Sequence, residues 1–564
     1  MRLPRKLLRF FLWFLGVFSL ILLVFVACFY FAVNIDPPTI VSRQVMELPR
    51  EKIETDFYKI GNNWLRKSDS GLWEMYISGN GFERGVKEGK LHQELAYFQE
   101  EAFVSQISKM VPSEWMLNYL KYFIAFFNRN LDTHILPEYQ REIYGESLYA
   151  SDKFDFIAPK YHRLLNYHAA HDIGHAIQDK GLRVGCTSFG AWGQSTKDSS
   201  LLIARNFDFF VGQDFAKNKI INFVHPEKGY KLAFVSWAGM IGAVSGMNEM
   251  GLTVTINASK SDIPTSAATP ISLVSREILQ YAKSIEEAFA IAKKRKVFVS
   301  ESILIGSQLD EKVAIIEMSP TKIALYESSN NTIICSNHFQ SELFKEEDIN
   351  IQNIKNSSSN YRYKLVTELI QKNDQLDVEN SVAILRNKNG LNGKKIGFGN
   401  EKAINQLIAH HSVVFKPKQL QMWVSTKPYQ LGQFICYDLN EVFGLADTLS
   451  VNQEIYNKNL SVAEDSFLHT SQFANFQKFL KMKSSFKNEN IKNTAARIES
   501  FIQTNPNNYE VYVLIANGYR KEGLSQKAIK YYKIALTKEV ATNKEKLQIQ
   551  ENIKELTHKN DTRN

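Results

Sequence analysis

The segment Gly185-Cys186-Thr187-Ser188-Phe189, followed by an apolar run that ends in Arg205-Asn206-Phe207-Asp208, constrains this chain more than any other stretch. A free thiol titrates at about 8.5 and needs a base at neutral pH. An α-amine titrates at about 7.7–8.0. Scission of the Gly185–Cys186 bond would therefore give Cys186 a base fixed covalently beside its own sulfur. Gly185 suits an open, strained backbone at such a cut. Asp208 can hold the new amine by a hydrogen bond, and Arg205 can favour the thiolate or polarise a substrate carbonyl. A lone cysteine is more often a small buried hydrophobe; the Arg205/Asp208 spacing turns the reading toward chemistry.

The N-terminus adds a second constraint. Arg2, Arg5, Lys6 and Arg9 precede an uncharged apolar run from Phe10 to Val33. That run is long enough to cross a bilayer and exceeds a typical signal-peptide core. Residues 1–34 are thus expected to be a cytoplasmic basic flank and a single-pass membrane anchor. The body is then extracytoplasmic, as in a bacterial periplasm. Val26-Ala27-Cys28 resembles a lipoprotein cleavage site, but the apolar run continues through Val33, which argues against lipidation. The net charge of +9 fits an anionic membrane surface, and no nucleic-acid motif accompanies it. Four cysteines are too few for a disulfide scaffold. Cys335 and Cys436 either pair or stay as buried thiols, and the spacings do not match a zinc site. No cofactor or metal is expected.

Between these landmarks the pattern changes twice. Residues 35–185 read as mainly helical, with helical periodicity over Gly85–Met110 and Trp115–Asn128. A turn at 79–85 precedes the first of these, with Glu83 and Arg84 capping or pairing locally. Residues 186–450 read as strands: Leu201–Arg205, Leu232–Ser236, Leu252–Asn257, Ser302–Ile305, Val313–Glu317, Ile323–Glu327 and Met422–Ser425. Helical patterns from Ile271 to Lys294 and from Tyr361 to Gln371 interrupt them. Two stacked sheets with helices outside accommodate this order. Residues 451–564 are expected to be helical beyond a polar linker at 483–492. There Tyr512, Ile515, Ala516, Tyr519, Ala528, Tyr532 and Ala535 fall at tetratricopeptide offsets, a candidate surface for a protein partner. His168, His171, Asp172 and His175 would share a helix face. His171 and His175 have metal-ligand spacing, yet no third distant ligand is evident, and packing or cleft lining is the preferred reading.

Taken together, Gly185–Asp208, Ser245–Asn257 and Ile333–Phe339 resemble the acyl-coenzyme A:isopenicillin-N acyltransferase-like family, relatives of bile-salt hydrolases and penicillin V acylases. The resemblance spans about residues 75–445. It implies an α+β, four-layer αββα sandwich, autocatalytic cleavage at Gly185–Cys186, and cleavage or transfer of an acyl group through a thioester on Cys186. In this likeness Asp208 orients the nucleophile's amine and Arg205 matches an arginine found there. Asn257, at the end of the strand after Gly246-Met247-Asn248-Glu249-Met250-Gly251-Leu252, would help form the oxyanion hole. Asn337, in Ser336-Asn337-His338-Phe339, would donate its side-chain amide, and Arg362 matches a late arginine near the nucleophile. Two preorganised oxyanion donors contribute on the order of 3 kcal/mol each. The expected substrate is an acylated small molecule or lipid. A rival reading is an envelope scaffold with a degenerate hydrolase domain. Another, a papain-type protease, needs a histidine partner, and neither His338 nor His410 has a suitable local signature.

Overall fold

Leu252-Thr253-Val254-Thr255-Ile256-Asn257 alternates because its two faces meet different neighbours. Leu252, Val254 and Ile256 pack with Val274 and Ile278 of a covering helix, while the alternate face turns to a second sheet. The computed structural model describes residues 5–561 apart from 112, 177–182, 261–266, 446–447, 451–452 and 489–493. It is a mixed α+β protein built on two large sheets.

The first sheet begins with β1 (Glu51–Glu54), β2 (Phe57–Ile60), β3 (Asn63–Lys67) and β4 (Trp73–Gly79). Later in the chain come β5 (Arg183–Val184), β6 (Thr187–Ala191), β7 (Leu202–Phe207), β8 (Phe209–Phe210), β9 (Ile220–Pro226) and β10 (Leu232–Ser236). These are followed by β11 (Ser245–Asn248), β12 (Leu252–Ala258), β13 (Glu301–Ser307), β14 (Lys312–Met318), β15 (Ile323–Glu327) and β16 (Thr332–Cys335). The last are β17 (His411–Lys416), β18 (Gln421–Ser425), β19 (Phe434–Asp438) and β20 (Tyr456–Val462). Sheet one has eleven strands in the order β1-β2-β3-β4-β9-β10-β11-β12-β13-β14-β15. Sheet two has seven, β16-β6-β7-β17-β18-β19-β20, and β5 pairs with β8. Within both large sheets neighbouring strands run antiparallel except β4 and β9, which are parallel.

The sheets share one apolar core: Phe223, Val235 and Ile315 from sheet one meet Ile203, Val413 and Val424 from sheet two. Helices α1 (Arg5–Val33), α2 (Gly81–Leu91), α3 (Gln93–Met110), α4 (Glu114–Phe127), α5 (Pro137–Ser147) and α6 (Lys160–Ala176) precede most of the strands. Helices α7 (Ile271–Tyr281) and α8 (Ile285–Lys293) pack on the outer face of sheet one. Helices α9 (Asp348–Asn356), α10 (Ser359–Gln371) and α11 (Val378–Leu385) come next, and α10 and α11 pack on the outer face of sheet two. Helix α12 (Leu439–Leu445) leads to the C-terminal group: α13 (Ser471–Asn488), α14 (Ala495–Thr504), α15 (Tyr509–Lys521), α16 (Ser525–Thr537) and α17 (Asn543–Asp561).

Several expectations need correction. Residues 35–185 are not mainly helical at their start, because β1–β4 occupy 51–79. These strands are short and separated by left-handed turn residues such as Asp56 and Gly61, and the last of them, β4, joins the rest of the sheet by pairing with β9, far away in sequence. The helix expected over 271–294 is two helices, since Ser284 caps a new start by accepting the Glu287 N–H at 3.2 Å. Likewise α2 and α3 part at His92. Sheet two runs past the expected boundary at 450, because β20 pairs with β19. The polar stretch from Lys483 is still helix α13 as far as Asn488. Cys335 and Cys436 are both buried free thiols. The turn at Gly79 behaves as expected: Asn80 and Glu83 form a capping box, and Arg84 bonds Glu138 at 2.8 Å and also Glu142.

Helices α2 and α5 approach so closely that a Cβ on Gly85 would overlap the Glu142 carbonyl oxygen. Gly85→Ala should therefore destabilise the fold by about 1–3 kcal/mol, read from denaturant unfolding. Gly444→Ala, with nothing near its would-be Cβ, should be close to neutral.

Candidate active site

Strand β7 sorts its side chains by alternation. Leu202 and Ala204 face the outer helices, whereas Ile203 faces the core between the sheets. Arg205 shares that inner side and is fully buried. Its guanidinium donates to the Val244 carbonyl at 3.1 Å, to the Ser245 hydroxyl and to the Ile256 carbonyl. Its remaining reach is to the sulfur of Cys186, with Nη2 3.8 Å from Sγ. Cys186 immediately precedes β6 and is 1% exposed. Burial pushes its thiol up to about 11, against the Arg205 charge and a backbone hydrogen bond from Asp208, which favour the thiolate.

Asp208 ends the same strand. Burial raises its carboxyl to about 7, opposed by Arg362 and Arg205. Its Oδ1 is buried with no hydrogen-bond partner among the described residues. Its Oδ2 accepts from the side-chain amide of Gln406 at 3.3 Å. The same Gln406 Nε2 donates to the carbonyl oxygen of Gly185 at 2.7 Å. The Gly185 N–H in turn donates to the Asp208 carbonyl at 3.0 Å. Gly185 is not in the left-handed region. Glycine is required there because any Cβ would run into the Gln406 amide, not because the backbone is strained.

Arg362, on the first turn of α10, closes the other side. It donates to the Cys186 carbonyl at 2.6 Å, to Thr187 Oγ1 at 2.7 Å and to Asn337 Oδ1 at 2.6 Å. Asn337 Nδ2 donates to the Ala258 carbonyl at 2.8 Å, which leaves one of its two hydrogens for another acceptor. Asn257 is used differently. Its Nδ2 faces the Cys335 and Ser336 carbonyls at 2.9 and 3.2 Å, and its Oδ1 accepts from Ser188 at 3.0 Å. Asn257 therefore bridges the two sheets, and both acceptors on its amide are backbone carbonyls. Of the residues singled out from sequence, Gly185, Cys186, Arg205 and Asp208 form one connected group, with Arg362 and Asn337 linked through the Cys186 carbonyl.

Sequence reasoning missed Gln406, Ser245 and His411. Ser245 receives Arg205 and faces His411 Nε2 at 2.9 Å, and His411 Nδ1 faces His410 Nδ1 at 2.9 Å. No motif surrounds Gln406 in Ile404-Asn405-Gln406-Leu407, and only the packed loop reveals it. His338 bonds Ser359 Oγ at 2.7 Å, so neither it nor His410 bonds Cys186. His168 is a packing residue, with Nδ1 donating to the Leu164 carbonyl at 2.8 Å and Nε2 accepting the Ile241 N–H at 3.1 Å. Asp172 accepts the first N–H of α7 at 2.9 Å. The side chains of His171 and His175 lie outside the described residues. Among the described residues no group of three or more His, Cys, Asp or Glu is arranged to hold a metal ion. A solvent-open cleft of about 710 Å³ is lined in part by Phe103, Tyr167, Phe209, Phe215 and Trp237. Phe209 and Phe215 share an apolar cluster with Cys186.

Two sheets close on a thiol, a guanidinium and a carboxylate, and this arrangement can be set beside known proteins. Residues 195–427 match the family described as Acyl-coenzyme A:6-aminopenicillanic acid acyl-transferase. Cys186 lies just upstream of the matched segment. Protein dcd1B of Dictyostelium discoideum is 22% identical over 269 residues, which are 45% of this chain and 51% of that protein. The chain spans about half the length of the curated relatives it matches. Among solved structures, a Caenorhabditis elegans N-acylethanolamine-hydrolyzing acid amidase ortholog is 15% identical and covers 41% of this chain and 93% of that chain, with a TM-score of 0.30. A mutant conjugated bile acid hydrolase from Clostridium perfringens is 15% identical, covering 48% of this chain and 97% of that chain, with a TM-score of 0.32.

Removing the Arg205 guanidinium strips buried carbonyls and the thiol of their donor. In a Cys186→Ala background, where cleavage cannot intervene, Arg205→Ala should cost about 3–5 kcal/mol of stability in a denaturant titration.

Proposed function

We propose that the protein is a self-cleaving cysteine N-terminal-nucleophile acyltransferase or amidohydrolase, tethered to a membrane by α1. The observation that carries this reading is the convergence of Cys186 Sγ with Arg205, and of the Gly185 carbonyl with Gln406 and Asp208. In the intact chain the sulfur attacks the Gly185 carbonyl carbon. A carbon–sulfur bond forms, the Gly185–Cys186 amide bond breaks, and the thiol proton reaches the departing nitrogen by way of Asp208. Water then cleaves the thioester, releasing a Gly185 carboxylate and restoring the thiol beside a free α-amine. That amine is the base for later turnovers, and Asp208 holds it.

In turnover the thiolate attacks a substrate acyl carbon. The spare N–H of Asn337 stabilises the tetrahedral oxyanion, and Arg362 fixes the Asn337 amide through its oxygen. The aromatic cleft beside the Cys186 cluster supports an apolar acyl group as substrate, presented as an amide. The helix–sheet–sheet–helix order of the apolar clusters supports the αββα sandwich. The C-terminal helices pack into the catalytic body through Leu407 and Leu431, which favours an enzyme over a scaffold with a free repeat surface.

Membrane attachment rests on α1, whose Arg9–Val33 span contains an 18-residue window with a mean hydropathy of 2.8. Helix α4 supports it. Phe29 of α1 stacks on Phe126 of α4 at 6.1 Å, and α4 exposes Trp115, Tyr119, Tyr122 and Phe123. Aromatic rings suit the bilayer interface. The basic flank puts the catalytic body on the extracytoplasmic side.

Intact mass and N-terminal sequencing should find a chain beginning at Cys186 in the wild type and a single polypeptide in Cys186→Ala. A wild type that stays whole under all conditions sinks the reading. The raised Asp208 carboxyl sets a pH dependence. Its ionised, proton-accepting form prevails above about 7 and is lost as pH falls through that value. Self-cleavage in cell-free synthesis should accordingly slow below pH 7, and Asp208→Asn should abolish this pH response together with most of the rate. Deleting residues 1–34 should remove carbonate-resistant association with membranes, scored by sedimentation.

A further inference from the structure

We infer that Gln406 is a catalytic residue of self-cleavage, the oxyanion donor for the Gly185–Cys186 bond, separate from the donor that serves the substrate. The inference rests on the self-cleavage reading above and goes beyond it by assigning a group to the developing charge.

The geometry is specific. Gln406 Nε2 lies 2.7 Å from the Gly185 carbonyl oxygen, the atom that becomes negative when sulfur adds to the carbonyl carbon. The orientation of the amide follows from its partners. Both Gly185 O and Asp208 Oδ2 are acceptors, so the nitrogen and not the oxygen must face them. The side chain is held rigidly. It is 2% exposed, and the loop around it is clamped from both sides. Asn206 Nδ2 donates to the Ile404 carbonyl at 3.0 Å, and Asn405 Oδ1 accepts the Leu407 N–H at 3.0 Å. Leu407 is anchored in the core of the C-terminal helices. A neutral, buried, preorganised donor gains strength as charge builds on its acceptor and needs no reorganisation to do so.

Neither asparagine does this job at the scissile bond. Asn257 spends its amide on the Cys335 and Ser336 carbonyls. Asn337 donates to Ala258 and is tied by its oxygen to Arg362. Arg362 holds the carbonyl of Cys186, one residue past the bond that breaks. The glycine at 185 fits the same picture, since a side chain there would displace the Gln406 amide. In the step itself the Gly185 carbonyl carbon gains a bond to Cys186 Sγ and its oxygen takes the negative charge under Gln406 Nε2–H. Collapse expels the Cys186 nitrogen with the proton given up by the thiol.

The test follows the cut in time after a pulse of cell-free synthesis of the full chain. Gln406→Met keeps the length of the side chain and removes the donor, and Gln406→Glu places a negative charge beside the same oxygen. Both should slow cleavage by about 10²–10³-fold, with thermal unfolding midpoints close to that of Cys186→Ala. Gly185→Ala should also block cleavage. The pair Gly185→Ala with Gln406→Ala should relieve the steric conflict and recover folding without recovering the cut. A folded Gln406→Met chain that cuts within a few-fold of the wild-type rate overturns the assignment, as does full cutting by the double variant. If the wild type itself remains whole, it is the self-cleavage reading that fails, and the two failures are thereby distinct.

Discussion

The cationic head of Arg205, buried between two sheets, is the contact on which the rest depends. It leaves β7 in sheet two and donates into β11 and β12 of sheet one, through Ser245 and the Ile256 carbonyl, with the Val244 carbonyl beside them. Asn257 makes the reciprocal bridge from sheet one to Cys335, Ser336 and Ser188 of sheet two. Over most of their area the sheets meet by apolar packing, which is indifferent to small shifts, with the buried Tyr437–Glu74 bond at 2.9 Å a second directional link. At Arg205 and Asn257 they are joined by directional bonds, which are not indifferent. Carbonyls and a hydroxyl solvate the guanidinium without cancelling its charge, so the charge remains to act on the sulfur. A buried cation is costly unless its donors are satisfied, and satisfying them fixes the separation of the sheets at the end where the chemistry lies.

What could be read from the sequence was local. The alternation of Leu252–Asn257 and Val313–Glu317 is a period-two signal, and the structure has strands β12 and β14 there. The residue types singled out Cys186, Arg205 and Asp208 and a strand over Leu201–Arg205, and the pairing of β6 with β7 brings the three together. What escaped was non-local. The pairing of β4 with β9 joins residues 73–79 to 220–226, and no local pattern marks it. Gln406 sits in a loop with no signature and reaches the Gly185 carbonyl only through folding. Asn257 was assigned by resemblance to the oxyanion, and its actual neighbours are carbonyls that only the stacking of sheets supplies. Glycine 185 was read for conformational freedom, whereas its need is space.

The C-terminal helices are part of this arrangement. The Phe398 N–H donates to Asn505 Oδ1, and its carbonyl accepts from the side-chain amides of Asn505 and Asn508. Glu539 binds Lys394 and Lys402 at 2.7 and 2.6 Å, and its carbonyl accepts from Asn400 at 2.8 Å. The stretch thus braced leads directly to Gln406, so the helical end of the chain supports from behind the side chain that donates to the Gly185 carbonyl.

The parallel ladder between β4 and β9, which pairs Trp73 through Gly79 with Ile220 through Pro226, lies on opposite sides of Cys186 in sequence. If the chain is cut at Gly185–Cys186 as proposed, one sheet is shared by two molecules. A bilayer holding α1 would then grip the sulfur-bearing fragment only by hydrogen bonds and packing, with no covalent link remaining. Solubilising the membrane would liberate a paired complex, whereas unzipping that ladder would free the second fragment alone, so retention at the membrane reports on folding.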